Sequence, residues 1–275
     1  MLGSKIDSIE AVLGGDINDS FKIEAKDQVL FVKQNQISGL SGLLEKEVVG
    51  LELLRTHFHF KIPEVILCNS DEKTQVLVIE WIEQSQPTKK FWEIFGHQLA
   101  EMHSETRGSF GLYHNNYIGT IPQCSAEMSN WKNFLVECRL QPLITLARDS
   151  GVISDTEVRL LEGSFNCIES VYPQEPPSLV HGDLWSGNYL VHSTGVPVLI
   201  DPAVFYGHRF MDLSMMHLFG GFHSRLFDAY AETYAFNSGW RKDLKHAKLV
   251  PLLVHLVLFG RGYWSELESI IKRFA

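Results

Sequence analysis

Alternating or β-branched runs occupy residues 8–14 (SIEAVLG), 20–25 (SFKIEA) and 28–35 (QVLFVKQN), separated by GGDIND and by Lys26-Asp27-Gln28. That is the rhythm of antiparallel strands. From about Ser41 the period changes: Leu40, Leu43, Leu44, Glu47, Leu51 and Leu54 recur at helical spacing, while Glu45, Lys46, Glu52 and Arg55 take the other side. Glu47 therefore falls inside an apolar stripe. Beyond Pro63 the pattern returns to strands at 64–68 and 75–82, with a turn at 69–72 and a polar segment at 83–87.

After residue 88 almost every pattern is helical. A helix opening at Thr88 carries Trp92, Phe95, Leu99 and Met102 on one stripe with His103 beside it. Further helices are expected over 131–148, 154–171 (opened by a Ser154/Glu157 capping box), 224–236, 240–259 and 263–274. The shift predicts an α+β chain of two lobes. Residues 1–83 form an antiparallel sheet plus one helix, and residues 84–275 form a mostly helical second lobe.

Composition narrows the function classes. Lysine plus arginine number 24 against 33 acidic residues, a formal charge of -9 that argues against nucleic acid or anionic lipid as a partner. The most apolar region, 249–260, is interrupted by Pro251 and His255, so no membrane span is expected, and with no export signal visible a cytoplasmic location is. Cys68, Cys124, Cys138 and Cys167 make no C-x-x-C pair and read as reduced thiols. Neither H-E-x-x-H nor G-x-S-x-G occurs. No sustained heptad fixes an oligomeric state.

One segment breaks the helical pattern: His181-Gly182-Asp183-Leu184-Trp185-Ser186-Gly187-Asn188, then YLVH, Ser193-Thr194-Gly195 and VPVLIDPA. Two strands of nearly equal length joined by a short turn place their outer ends side by side, so Asn188 should meet Asp201. With Asp183 five residues before Asn188, these oxygens suit Mg²⁺ better than zinc. The spacing matches the H-R-D-x-x-x-x-N loop of phosphoryl-transfer enzymes, with glycine in place of arginine, followed by a metal-binding aspartate.

Two anomalies in the first lobe fit the same chemistry. Lys33 ends an apolar strand and Glu47 sits in a leucine stripe, and a buried carboxylate requires a partner. Paired, they would place the lysine on the phosphates of ATP. Gly14-Gly15-Asp16 lies in a turn where backbone N–H groups can approach phosphate, although a glycine pair in a hairpin is by itself only a turn. The connection through Glu80, Trp81 and Ile82 could present backbone groups to an adenine edge.

These residues, together with Phe31-Val32-Lys33, Gly50-Leu51, Leu99-Ala100-x-x-His103, Asn116-Tyr117-Ile118-Gly119-Thr120-x-x-Gln123, Arg139-Leu140, Asp201-Pro202-Ala203, Gly207-His208-Arg209 and Asp212-Leu213, resemble the fructosamine kinase (ketosamine-3-kinase) family over almost the whole chain. HGDLWSGN is the most discriminating piece. The resemblance implies a bilobal protein-kinase-like fold whose first lobe binds nucleotide and whose second carries a catalytic-loop hairpin. It implies Mg²⁺- and ATP-dependent phosphorylation of a ketoamine, free or protein-bound, at its 3-hydroxyl, leading to deglycation. Asp183 would act on the acceptor, Asn188 and Asp201 would hold the metal, and His181 and Asp212 would support the loop. Trp185, Asn116 and Arg209 would lie on the substrate side. Phe210 stands where the family often has glutamate, which bears on acceptor preference. Two alternatives stay open: a kinase of the same fold acting on an aminoglycoside, choline or another hydroxyl compound, and a non-catalytic nucleotide-binding pseudokinase.

Overall fold

The computed structural model describes residues 6–12, 18–26, 28–36, 40–57 and 59–274. Gly14, Gly15 and Asp16 lie outside them. Strands β1 (Ser8–Ala11), β2 (Asp19–Ala25) and β3 (Gln28–Gln36) precede helix α1 (Leu43–Thr56), and β4 (Val65–Ser70) and β5 (Thr74–Glu80) follow it. They form one antiparallel five-stranded sheet in the order β1-β2-β3-β5-β4. The leucine stripe of α1 buries Leu44, Leu51 and Leu54 beside Leu77 and Ile79 of β5. Gly42, at φ 73°, starts the helix without a side-chain cap. Gln75 supplies the missing acceptor: its Oε1 accepts from Leu44 N at 3.1 Å while its Nε2 donates to Leu40 O at 2.7 Å.

The second lobe opens with α2 (Lys89–Ser104), capped by Thr88, whose hydroxyl accepts from Phe91 N at 3.1 Å. A hairpin follows, β6 (Asn116–Ile118) and β7 (Ile121–Gln123). Next, α3 (Trp131–Leu135) continues through a π-helical turn over residues 136–140 into α4 (Gln141–Asp149). After α5 (Asp155–Gly163) and α6 (Ile168–Val171), β8 (Ser178–Val180) leads to the hairpin β9 (Tyr189–Val191) and β10 (Pro197–Leu199), and β11 (Phe205–Gly207) returns to pair with β8. Helices α7 (Phe210–Phe219), α8 (Ser224–Thr233), α9 (Trp240–Ala247), α10 (Leu249–Phe259) and α11 (Trp264–Phe274) complete the lobe. Among the described residues no helix is long and apolar enough to cross a membrane.

Three elements depart from the periodicity. Helix α7 is absent from the sequence-based expectation because Phe210 through Met216 are all buried, which leaves no polar face to mark a period. The span 154–171 breaks into a tighter turn at 164–167, and 240–259 divides at Lys248. Pro251 then sits in the first turn of α10, where its missing N–H leaves no helical bond unmade.

The core also holds a buried neutral histidine. His208 donates from Nε2 to Pro173 O at 3.1 Å and accepts at Nδ1 from Phe210 N, also at 3.1 Å. Burial, helped by the Arg209 cation, pushes its pKa from 6.5 down to about 3. Its contribution is intact above pH 6.5 and is lost as pH falls from 6.5 toward 3, because only the unfolded chain takes up the proton there. By pH 5 the loss reaches about 2 kcal/mol. Urea midpoints should therefore fall between pH 7.5 and 5, and His208→Gln should reduce that fall. Equal pH slopes for the two proteins would count against the assignment.

Candidate active site

The β9–β10 hairpin assembles the centre. Leu199 pairs with Tyr189, and one step further out Ile200 N donates to Asn188 O at 3.1 Å. Asp201 follows at once with φ 55°, a left-handed conformation in which Asp is among the better-tolerated non-glycine residues. Asn188 Nδ2 donates to Asp183 O at 2.8 Å and to Asp183 Oδ2 at 3.1 Å, which leaves its side-chain oxygen Oδ1 without a hydrogen-bond partner among the described residues.

Asp183 is held by its neighbours' backbone. Asp212 of α7, fully buried, accepts from His181 N at 2.7 Å and from Gly182 N at 2.8 Å. The same carboxylate accepts from His103 Nε2 at 3.1 Å, and His103 Nδ1 accepts from the Tyr230 hydroxyl at 2.9 Å. His181 bridges the loop to the hairpin end, donating from Nε2 to Ile200 O at 2.9 Å. Burial lowers its pKa, which keeps the ring neutral at pH 7.

Gly182, at φ 85°, explains why glycine replaces arginine here: a Cβ would lie 2.1 Å from Ala203 O. Gly182→Ala should cost at least about 2 kcal/mol and lower the thermal midpoint by about 5 °C. By moving Asp183 it should also cut turnover by on the order of 100-fold. Calorimetry and initial rates check both, and an unchanged midpoint would contradict the contact.

Lys33 of β3 meets the same centre from the first lobe. Its Nζ donates to Glu47 Oε1 at 2.7 Å and to Asp201 Oδ1. Burial opposes the ammonium charge, but the Asp201 and Glu47 carboxylates outweigh it and raise the lysine pKa, so it stays cationic. Burial pushes Glu47 up toward 7, with Asp201 adding to the rise and Lys33 resisting it. Helix α1 can lie this close because of Gly50, where a Cβ would stand 2.7 Å from Val204 Cγ2 and 3.1 Å from Pro202 Cγ. The helix that carries Glu47 thus rests on the segment just after Asp201.

Burial and then the charge of Asp201 raise Asp183 to about 7. The two carboxylates and the amide oxygen are an all-oxygen donor set, and a hard divalent cation would offset the charge that disfavours ionisation of Asp183. Among the described residues no trio of His, Cys, Asp or Glu could chelate a metal alone. The donors therefore fit Mg²⁺ shared with phosphate and water rather than a closed protein cage.

The other sequence candidates fall into two groups. Trp185 is 38% exposed and lies against Gly187 at the loop tip. At the lobe connection, Glu80 accepts from Lys61 Nζ at 2.8 Å, Trp81 donates to Glu83 Oε1 at 2.9 Å, and Ile82 is buried. Asn116 and Arg209 require correction, because both are buried with their polar groups engaged. Asn116 donates to Val204 O at 2.9 Å and accepts from Gln123. Arg209 makes a two-pronged contact to Glu175 at 2.8 and 2.7 Å, donates to Tyr234 O and Ala235 O, and stacks 3.9 Å from the Tyr234 ring centre. Neither offers a free face to a substrate. Phe210 is likewise in the core, against Tyr172 and His208.

Comparison with known proteins agrees with this layout. The sequence model of the fructosamine kinase family matches residues 2–275. The chain is 33% identical to a probable ketoamine kinase of Enterococcus faecium, over 96% of this chain and 94% of that protein. It is 32% identical to the chloroplastic protein-ribulosamine 3-kinase of Arabidopsis thaliana, over 98% of this chain and 83% of that protein. A crystal structure of a Thermobifida fusca protein assigned as a fructosamine-3-kinase superposes with a TM-score of 0.87 at 35% identity, covering 98% of this chain and 94% of that one. An aminoglycoside phosphotransferase shares the fold alone, with a TM-score of 0.63 at 14% identity over 98% of this chain and 92% of that one. With a full-length family match, this bilobal architecture and its oxygen-lined hairpin end, the chain belongs to the fructosamine kinase family of phosphotransferases.

Proposed function

We propose that the protein transfers the γ-phosphoryl group of ATP to the 3-hydroxyl of a ketoamine such as a ribulosamine or fructosamine, after which the phosphorylated sugar separates from the amine. The observation that carries this reading is the meeting of the Lys33–Glu47 pair with Asp201 at the hairpin end that also holds Asn188 and Asp183. Lys33 holds the α and β phosphates and Glu47 orients it. Asn188 and Asp201 hold Mg²⁺, which when bound neutralises phosphate charge. Asp183 accepts the hydrogen of the acceptor hydroxyl and aligns its oxygen with the γ-phosphorus. Backbone groups of residues 80–82 face the adenine, and Trp185 faces the sugar. The lobes divide after residue 83.

The acceptor class is supported by the ribulosamine 3-kinase relative and by Leu184-Trp185-Ser186-Gly187 in the loop. The test is a phosphate-transfer screen of purified protein with Mg·ATP against ribulosamines, fructosamines and aminoglycosides, read by product mass and by NMR for the position of the phosphate. Transfer to O3 of a ketoamine is the expected result. Transfer only to aminoglycosides, or tight ATP binding with no transfer to any acceptor, would overturn it.

A further inference from the structure

Away from the cleft, two cysteines face each other. Cys124 lies just after β7 and Cys138 lies in the π-helical turn between α3 and α4; Cys138 Sγ donates to Cys124 Sγ at 2.9 Å. Both are free thiols. A disulfide needs its sulfurs at about 2.05 Å, so closure requires about 0.9 Å of approach between atoms already in contact.

The setting holds this pair in place. Arg139, 1% exposed, donates from Nη1 to the main-chain carbonyls of both Cys124 and Cys138, so one guanidinium nitrogen clamps the two cysteine backbones together. Its faces lie 4.8 and 4.1 Å from the ring centres of Phe134 and Phe205. Its Nε and Nη2 have no hydrogen-bond partner, and no acidic residue pairs with it among the described residues. An arginine buried without a counterion is costly, and its field favours negative charge on a nearby sulfur. Cys138 is 2% exposed, whereas Cys124 is only partly buried and is the more accessible residue of the two.

We propose that Cys124 and Cys138 form a reversible dithiol–disulfide pair that hydrogen peroxide oxidises. Cys124 sulfur attacks the peroxide, the O–O bond breaks, and Cys124 becomes a sulfenic acid with release of water. Cys138 sulfur then attacks the sulfenic sulfur, the S–O bond breaks, and the departing hydroxyl takes the Cys138 proton as a second water. The sulfurs lose two electrons in all and the peroxide gains them. Burial, which pushes the Cys138 thiol up to about 12, slows the second step, while the Arg139 cation works the other way. The new bond would lie close to the catalytic segment: Gln123 donates to Asn116, and Asn116 donates to the Val204 carbonyl three residues past Asp201.

Peptide mapping of the intact protein tests this. After treatment with hydrogen peroxide, remaining thiols are alkylated under denaturing conditions and the digest is analysed without reduction. Two of the four thiols should disappear, a single linked peptide should join Cys124 to Cys138, and dithiothreitol should restore both. Cys68 and Cys167 should stay alkylatable. In Cys124→Ser, a conservative change at the less buried position, all three remaining thiols should survive the same treatment. Linkage between other cysteines or between chains, over-oxidised Cys124 with Cys138 still alkylatable, or no oxidation at either cysteine would each overturn the proposal.

Discussion

Asp183→Asn is expected to reduce phosphoryl transfer by on the order of 10³ to 10⁴ while nucleotide affinity changes by less than about 2-fold. The substitution keeps the size and planarity of the side chain. The Asn188 amide can still reach the backbone carbonyl of residue 183 at 2.8 Å, and an amide oxygen can replace the carboxylate oxygen now 3.1 Å away. The loop survives because its supports do not involve the Asp183 carboxylate: Asp212 grips His181 N and Gly182 N, and His181 grips Ile200 O. In the proposed mechanism, what disappears is the acceptor for the hydroxyl hydrogen and a carboxylate beside the reacting oxygen. Single-turnover transfer and an ATP titration separate the two effects. Turnover within a few-fold of wild type would remove Asp183 from its proposed role, and a large loss of ATP affinity would make it a nucleotide contact instead.

Much of this centre is legible in the sequence because its signals are local violations. Glu47 interrupts a leucine stripe, Lys33 follows the apolar run of β3, and both anomalies are resolved by the 2.7 Å contact between them. That Asn188 and Asp201 fall at the same hairpin end follows from strand lengths and one turn, since hairpin register is nearly a counting problem. Helix α7 was hidden by the opposite condition, burial on nearly every side, which erases the period. Of the braces behind the loop, Asp212 is legible only through the family resemblance, and its partners His103 and Tyr230 are hidden because they join distant segments. His103, Asp212 and Tyr230 lie on α2, α7 and α8, and no spacing rule relates them. His103 did carry a weak signal, a polar residue next to an apolar stripe, of the same kind as Glu47. Asn116 and Arg209 were misplaced for a related reason. Motif membership brings a residue close to the site, but only the tertiary structure shows whether its polar atoms face a ligand or, as here, Val204 O and Glu175.

Asp201→Asn should abolish the tightening of ATP binding by magnesium and lower transfer by on the order of 10³. Asparagine is the informative replacement because position 201 has φ 55°, which Asn tolerates and alanine does not, so charge is removed without forcing the backbone to move. Lys33 would lose one of its two carboxylates but keep Glu47, so the buried cation remains paired and the first lobe should stay folded. Magnesium-free ATP should even bind somewhat better, because the variant frees part of the lysine charge for phosphate. Nucleotide titrations with magnesium and with a chelator provide the test: in the wild type the two curves should separate, and in the variant they should coincide. If magnesium still tightened ATP binding to the same degree in the variant, the metal would have to rest on other ligands, and Asp201 would be left as the partner that holds Lys33 in place.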